Sequence, residues 1–196
     1  MIAIIDYGTG NLRSVENALA RLGAEFAVMS DAGRIRRADK VILPGVGEAS
    51  SAMERLRSGP LAGLIPTLTQ PVLGICIGLQ LLCARSEEGD ADCLGVFPVC
   101  VRRFPEAPGS KIPHMGWNAI EGLASPLLEG VPEGAFVYYV HSYYPALAPE
   151  TVARTSYGGV TFSAVLRRGN FYGTQFHPEK SGPVGALILR NFIESC

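Results

Sequence analysis

The chain has 196 residues, a length that suits one globular domain, and we expect residues 1–196 to form a single domain around one sizeable core. The formal net charge of −1 gives no indication of a nucleic-acid partner or an anionic membrane surface. No uninterrupted apolar run approaches the roughly 18 residues of a membrane-spanning helix, and the N-terminus lacks the basic region of a signal peptide.

The first half of the chain alternates short apolar runs with helical patterns. Ile2–Asp6 is typical of a buried strand, and the helix that follows through NLRSVENALARLG is expected to stop at Gly23. Further strands are predicted in EFAVMS, KVILPGVG and VLGI, and further helices in SAMERLR, LAGLIPTL and GLQLLCAR. This alternation indicates βα units and a mostly parallel sheet.

Strand patterns dominate the second half. They lie in VCVRRF, FVYYVHSYY, TVARTSY and VTFSAVLRRGNFYGTQF, with YGG and RRGN as the expected turns. A closing helix is predicted in PVGALILRNFIES, with Pro183 near its start. The predicted fold class is therefore α/β: an open, mostly parallel sheet flanked by helices, with an antiparallel section in the C-terminal half.

The stretch GICIGLQ places Cys76 between Gly74 and Gly78, in the Gly-x-nucleophile-x-Gly pattern of a nucleophile elbow between a strand and a helix. In such an elbow the nucleophile occupies a strained turn, and larger neighbours would block it. Amides at the start of the following helix would favour the thiolate and stabilise an oxyanion. The pentapeptide alone is equally compatible with a buried, unreactive cysteine beside a tight turn.

The stretch GTQFHPEKS contains one of only three histidines in the chain. His177 ends a strand-like run, and Glu179 follows two residues later, across the stiff residue Pro178. Because residues i and i+2 of an extended chain lie on the same side, Glu179 could orient the imidazole of His177 as the third member of a triad. The alternative is a solvated His-Pro-Glu turn.

Two glycine-rich turns follow predicted strands. In LPGVG, the backbone at Gly45 and Gly47 could present N–H groups to an oxyanion at the sheet edge where ligands bind, although an ordinary turn has the same pattern. YGTGN contains only Gly8-x-Gly10 of a dinucleotide-binding pattern, since Arg13 stands where the third glycine belongs. Its signal for a phosphate site is weak.

The remaining signals concern cysteines and aromatic residues. The five cysteines include no Cys-x-x-Cys pair, and His114 is wrongly spaced to share a metal with another histidine, so we expect no metal. An odd number of cysteines without a signal peptide is typical of a cytoplasmic protein. KIPHMGWN is expected to be a packed loop, and YYVHSYY either a strand edge in the core or a surface for a partner.

Five motifs occur together in the order and spacing of one family: PGVG, GICIGLQLL, KIPHMGWN, YYVHSYY and GTQFHPEKS. The chain resembles the class I (triad) glutamine amidotransferases and, within them, the glutaminase subunits of imidazole glycerol phosphate synthase. The resemblance covers essentially the whole chain. The elbow and FHPE are shared by triad amidotransferases, whereas PGVG, PHMGWN and HPEKS narrow the resemblance to the synthase subunits.

The resemblance implies a role for each residue that matches a family motif. Cys76 would be the nucleophile, His177 the general base and acid, and Glu179 its orienting partner. Val46, between Gly45 and Gly47, would supply an oxyanion amide. Gln80 would belong to the glutamine pocket, Glu88 would hold the substrate amino group, and the backbone at Ser142 and Tyr143 would hold its carboxylate. Independently of the resemblance, Lys180 is one of only three lysines and lies inside a motif, so we expect it to form a salt bridge to an acidic residue of a partner, with Asn11 on the same contact surface. The alternative is a solvated lysine.

The implied reaction is hydrolysis of L-glutamine through a cysteine thioester, without a cofactor. The ammonia would pass to a heterodimer partner, the (β/α)8-barrel cyclase subunit of imidazole glycerol phosphate synthase, in histidine biosynthesis. Three alternatives are a glutaminase subunit of another triad amidotransferase, a cysteine hydrolase acting on peptides and a non-catalytic subunit. PHMGWN disfavours another triad amidotransferase, and FHPE together with Gln80 disfavours a peptide hydrolase. The presence of all three triad residues disfavours a non-catalytic subunit.

Overall fold

The computed structural model of the chain describes residues 1–8, 11–106 and 111–196. Its strands are β1 (Ile2–Ile5), β2 (Phe26–Met29), β3 (Lys40–Leu43), β4 (Val72–Ile75), β5 (Arg85–Ser86), β6 (Ala91–Asp92), β7 (Cys100–Arg103), β8 (His114–Ala119), β9 (Phe136–His141), β10 (Tyr143–Pro145), β11 (Thr151–Tyr157), β12 (Val160–Arg168) and β13 (Phe171–Thr174). Its α-helices are α1 (Leu12–Arg21), α2 (Ala32–Arg36), α3 (Ala49–Arg57), α4 (Leu61–Leu64), α5 (Ile77–Leu82) and α6 (Gly182–Glu194).

The largest sheet has the strand order β11-β12-β13-β4-β3-β1-β2. From β13 to β2 the neighbouring strands run parallel, whereas β11, β12 and β13 pair antiparallel. Every residue of β1 and β4 is buried, as is typical of parallel strands covered by helices. The predicted fold class is confirmed.

Helix boundaries follow the local signals in the sequence. α1 buries Val15, Ala18 and Leu19 along one face, and it ends before Gly23, whose φ of +70° favours glycine. Pro183 lies in the first turn of α6, where its missing N–H costs no helical hydrogen bond. No helix in the described part of the chain is long and apolar enough to cross a membrane.

The sequence-based expectations differ from the structure in three places. The helix predicted in GLQLLCAR ends at Leu82, because the following residues form β5, which pairs with β6 and β7. KIPHMGWN is largely a strand rather than a packed loop, since β8 pairs antiparallel with β9 and sets His114 opposite His141. The aromatic strand after it is interrupted at Ser142, between β9 and β10. Gly10, of the Gly8-x-Gly10 pattern, lies outside the described residues.

The parallel strands place the chemically interesting loops at one edge of the sheet. β3 is followed by residues 44–47, β4 by Cys76, and β13 by the segment that contains His177. Because parallel neighbours end at the same side, these loops converge at the carboxyl edge, where open α/β sheets bind ligands.

Candidate active site

Cys76 follows β4 directly and has a φ of 54°, in the left-handed region that residues with side chains rarely adopt. The flanking glycines are required by packing. A Cβ on Gly74 would lie 2.8 Å from backbone atoms of Gly78, and a Cβ on Gly78 would lie 1.8 Å from the carbonyl oxygen of Leu43. The glycines therefore allow the elbow to pack closely against β3, in addition to leaving space around the thiol. This packing stabilises the strained turn.

A cavity of about 380 Å³ opens beside the thiol of Cys76, which is itself 4% exposed. The predicted site residues that line the cavity are Val46, Gly47, Cys76, Gln80, Glu88, Ser142, Tyr143, His177 and Lys180. The predicted site residues that do not line it are Gly45, Glu179 and Asn11. Segments far apart in the sequence therefore meet around one cysteine, as a site for a small substrate requires.

His177 and Glu179 form a buried pair, with 2.8 Å between Nδ1 of the imidazole and Oε1 of the carboxylate. The segment Pro178–Lys180 is a 3-10 turn, so this turn makes the contact, rather than the extended chain that the sequence suggested. Burial by itself lowers the pKa of His177, but polar interactions with Cys76 and Glu179 outweigh it and raise this pKa to about 10. The positive charge on His177 contributes its full stabilisation of the folded state at pH values below 6.5, the ordinary pKa of histidine. This contribution is lost as the pH rises through about 10.

Glu179→Gln is expected to lower the pKa of His177 towards its ordinary value of 6.5, because the substitution removes the negative charge that faces Nδ1. An NMR titration of the imidazole signals measures this change. Assignment is simple, since the pKa values of His114 and His141 are held at about 4 and 3 by burial. Glu54→Gln, at an exposed position of α3, is the matched control. An unchanged pKa in Glu179→Gln would contradict the stabilising role.

Gln80 links the cavity to the nucleophile through hydrogen bonds. Its Nε2 donates to the carbonyl oxygen of Tyr143 at 3.0 Å and to Oε1 of Gln175 at 2.9 Å. Nε2 of Gln175 donates in turn to Sγ of Cys76 at 3.6 Å. These bonds orient both amides, since carbonyl oxygens only accept. They leave Oε1 of Gln80 buried and without a hydrogen-bond partner among the described residues.

Glu88 holds a carboxylate at the wall of the cavity. Its Oε2 accepts a hydrogen bond of 2.9 Å from the backbone N–H of Ala49, the first residue of α3. Burial raises the pKa of Glu88, and the bond from Ala49 partly opposes this shift. The bond fixes one oxygen of the carboxylate at the helix start and orients the group as a whole.

The two glycines of PGVG have different reasons to be glycine. A Cβ on Gly45 would lie 2.7 Å from Oη of Tyr7, and this hydroxyl donates to the carbonyl of Pro44 at 2.9 Å. Gly47 has open space around it, but its φ is +98°. Gly45 is therefore required by packing and Gly47 by backbone conformation.

Asn11 and Lys180, the expected partner contacts, are both exposed. Asn11 directly precedes α1, and its Nδ2 donates to Oγ of Ser14 at 2.7 Å. Nζ of Lys180 lies 6.0 Å from the centre of the Tyr138 ring. In the described ranges no carboxylate forms an ion pair with Lys180, so its charge is available at the rim of the cavity.

Some residues of the site were not predicted from the sequence. Gln175 contacts the nucleophile, and the cavity is also lined by Ile77, Pro113, Val140 and His141. The signal for Gln175 was present, because it precedes His177 by two residues at the end of a strand. No cluster of three or more possible metal ligands occurs in the described parts of the chain.

Comparison with known proteins identifies the family of the chain. A family model described as "Glutamine amidotransferase class-I" matches residues 3–196. A crystal structure of a glutamine amidotransferase is similar, with a TM-score of 0.76, 19% identity and coverage of 99% of this chain and 98% of that one. The structure of PurLQS from Thermotoga maritima has a TM-score of 0.69, 19% identity and coverage of 98% of this chain and 96% of that one. The class that this fold and this site define is the class I glutamine amidotransferases.

Curated relatives narrow the class. The imidazole glycerol phosphate synthase subunit HisH of Bacteroides fragilis is 52% identical over 194 residues, which cover 98% of both chains. The HisH subunit of Xanthomonas campestris is 50% identical over 194 residues, which cover 98% of this chain and 96% of that one. The chain belongs to this HisH family of glutamine amidotransferase subunits.

Proposed function

We propose that this chain hydrolyses L-glutamine to glutamate and ammonia through a thioester on Cys76. The observation that supports the proposal most is the joint position of three groups at one cavity. These are the cysteine in its strained elbow, Oε1 of Gln80, which has no hydrogen-bond partner among the described residues, and an imidazole that Glu179 orients. Cys76 and His177 provide a nucleophile and a proton donor, and a bound substrate N–H would give Oε1 of Gln80 a partner.

Acylation uses the proton that His177 carries. The thiolate of Cys76 attacks the side-chain amide carbon of glutamine, and the carbonyl oxygen becomes an oxyanion that the amide at Val46 would stabilise. His177 then donates its proton to the departing nitrogen, the carbon–nitrogen bond breaks, and ammonia leaves. The raised pKa of His177, which keeps the imidazole charged before the attack, supports this assignment.

Deacylation reverses the proton transfer. The neutral imidazole of His177 removes a proton from water, the hydroxide attacks the thioester carbon, and the sulfur of Cys76 leaves as glutamate is released. Glu88 would hold the α-amino group of the substrate. The backbone at Ser142 and Tyr143 would hold its α-carboxylate, since both residues line the cavity.

Active-site labelling tests the proposal directly. A chloromethyl ketone analogue of glutamine is expected to alkylate Cys76 first, and an excess of L-glutamine should protect this residue. The other free cysteines provide the control, because exposed Cys100 should react with a small nonspecific reagent and gain no protection from glutamine. Mass spectrometry of peptides identifies the labelled cysteine. Labelling of Cys76 that glutamine does not slow would contradict a glutamine site.

The ammonia is proposed to pass to the (β/α)8-barrel cyclase subunit of imidazole glycerol phosphate synthase, which the chain would join as a heterodimer in the cytoplasm. The HisH relatives are named as subunits of that synthase, which supports the presence of a partner. Exposed Lys180, which has no internal ion pair in the described structure, suits a salt bridge to an acidic residue on that partner, and exposed Asn11 is proposed to contact the same partner.

Glutamine hydrolysis is expected to rise by about 10²–10³-fold when the barrel partner binds, which is the effect of one oxyanion donor. The physical basis is a change of backbone orientation in residues 45–47 that would aim the amide of Val46 at the oxyanion, and the two glycines that flank Val46 make this change inexpensive. The measurement is glutamate release with and without the partner, and equal turnover in both states would rule out activation by the partner.

Lys180→Ala should weaken partner binding, and Arg190→Ala, at an exposed position of α6, is the matched control.

A further inference from the structure

The two histidines that the proposed reaction does not use form a buried pair behind the cavity. His114 is 3% exposed and His141 is 6% exposed, and Nδ1 of the first lies 3.0 Å from Nε2 of the second. His141 also lines the cavity. Two imidazoles in hydrogen-bond contact inside a protein need complementary protonation, since one nitrogen must donate and the other accept.

The neighbouring groups determine which nitrogen carries each proton. Nδ1 of His141 lies 2.7 Å from the carbonyl oxygen of Tyr143, which can only accept, so this nitrogen is the donor. A neutral His141 then accepts at Nε2, and Nδ1 of His114 must donate to it. Nε2 of His114 is left as an acceptor, and the amide nitrogen of Asn118 lies 3.3 Å from it. Both imidazoles therefore carry their proton on Nδ1.

This hydrogen-bond chain continues to the nucleophile. The carbonyl oxygen of Tyr143 accepts from Nδ1 of His141 and also from Nε2 of Gln80 at 3.0 Å. Gln80 donates to Gln175, which donates to Sγ of Cys76. One carbonyl thus connects the histidine pair to the amide side chains that border the thiol.

Packing and burial keep the pair neutral and in place. The ring of His114 lies between Tyr139 and Tyr157, with ring centres 4.7 and 3.9 Å away and interplanar angles of 22° and 19°. Burial lowers the pKa of His114 to about 4 and that of His141 to about 3. The titratable groups that face the pair are these two tyrosines and His177, whose charge further disfavours a proton on His141. Among the described residues no carboxylate pairs with either imidazole.

We propose that His114 and His141 are positioning residues that hold the carbonyl of Tyr143, and with it Gln80 and the glutamine subsite, through a pair of neutral imidazoles protonated on Nδ1. The inference deepens the proposed function, on which its kinetic part rests. Neither histidine exchanges a proton with substrate, and the bond to Tyr143 is the contact through which they act.

The tautomers are measured by NMR of the imidazole nitrogens in the full chain. The chain has only three histidines, so the spectrum at pH 7 should contain two neutral rings with the Nδ1–H pattern and one charged ring, His177. Single variants of each histidine assign the signals. A proton on Nε2 of His141, or a charged His141 at pH 7, would overturn the proposal. This result does not depend on whether the chain hydrolyses glutamine.

Two near-isosteric variants of His141 separate positioning from simple packing. In His141→Asn the amide nitrogen takes the place of Nδ1 and can still donate to the carbonyl of Tyr143. In His141→Gln the amide takes the place of Nε2, and the carbonyl of Tyr143 loses that donor. Measured in the complex with the barrel partner, the KM for glutamine should rise about 10-fold in His141→Gln and stay within about 3-fold in His141→Asn, the loss expected for one buried hydrogen bond.

The division between KM and kcat distinguishes this role from a structural one. Partial unfolding reduces the active fraction and so lowers the apparent kcat without a change in KM, whereas a displaced subsite raises KM. Equal KM values in both variants would overturn the positioning role. If His141→Gln does not fold, the tautomers of the unmodified chain still test the proposal. Absence of glutaminase activity in the unmodified complex, with the two Nδ1–H rings present, would contradict the proposed function but leave the hydrogen-bond chain established.

Discussion

Cys76→Ala is expected to abolish glutamine-dependent product formation by the complex and to leave ammonium-dependent formation intact. Removal of the nucleophile leaves no acyl acceptor, so the glutamine-driven rate should fall by roughly 10⁴-fold or more. Free ammonium should bypass the proposed thioester, because it would supply the nitrogen directly to the proposed barrel partner. The two rates are measured in parallel on one preparation, with either L-glutamine or an ammonium salt as the nitrogen source.

A second cysteine provides the matched control for this experiment. Cys100→Ala removes an exposed thiol in β7, outside the cavity, and should change neither rate. Alanine at position 76 removes only a sulfur atom from a turn whose backbone the packing of Gly74 and Gly78 holds. If Cys76→Ala also stopped the ammonium-driven reaction, Cys76 would be needed for assembly or for the fold, and the nucleophile assignment would lose its support.

The fold was predictable because its signals are local. Buried parallel strands leave continuous apolar runs, and turns and helix ends leave glycine and proline at specific positions, as at Gly23 and Pro183. Short elements that depend on distant partners left no such signal. β5 has two residues and exists because β6 and β7 pair with it, which also ends α5 earlier than its composition suggests.

The candidate site likewise contains residues that local sequence signals predict and contacts that depend on distant segments. The pattern around Cys76 and the spacing of His177 and Glu179 are local, so these residues could be proposed from the sequence, although a 3-10 turn rather than an extended chain joins the latter two. The contact between His114 and His141 depends on the register of two strands whose partners lie 27 residues apart. Register is set by long-range pairing, which periodicity within one segment does not reveal.

Of the single methyl groups that could be added at the elbow, the one introduced by Gly78→Ala is expected to destabilise the fold most. The added Cβ would lie 1.8 Å from the carbonyl oxygen of Leu43, so β3 or α5 must move. A clash with backbone cannot be relieved by rotation of a side chain, so the cost is expected at the upper end of the range of about 1–3 kcal/mol that overpacking typically produces. Urea unfolding of the isolated chain measures the loss of stability.

Gly63→Ala is the matched control for this prediction, because it makes the same chemical change in α4, where a Cβ meets nothing within 4 Å. It should leave stability unchanged or raise it by up to about 1 kcal/mol, since alanine is the better helix former. Glutaminase activity of the complex distinguishes two consequences of Gly78→Ala, loss of stability and displacement of Cys76. Displacement of Cys76 by about 1 Å is enough to lower turnover by roughly 10²-fold even in molecules that remain folded. Unfolding midpoints for Gly78→Ala and Gly63→Ala that coincide, with turnover unchanged in both, would contradict the close packing of α5 against β3 on which the geometry of the nucleophile depends.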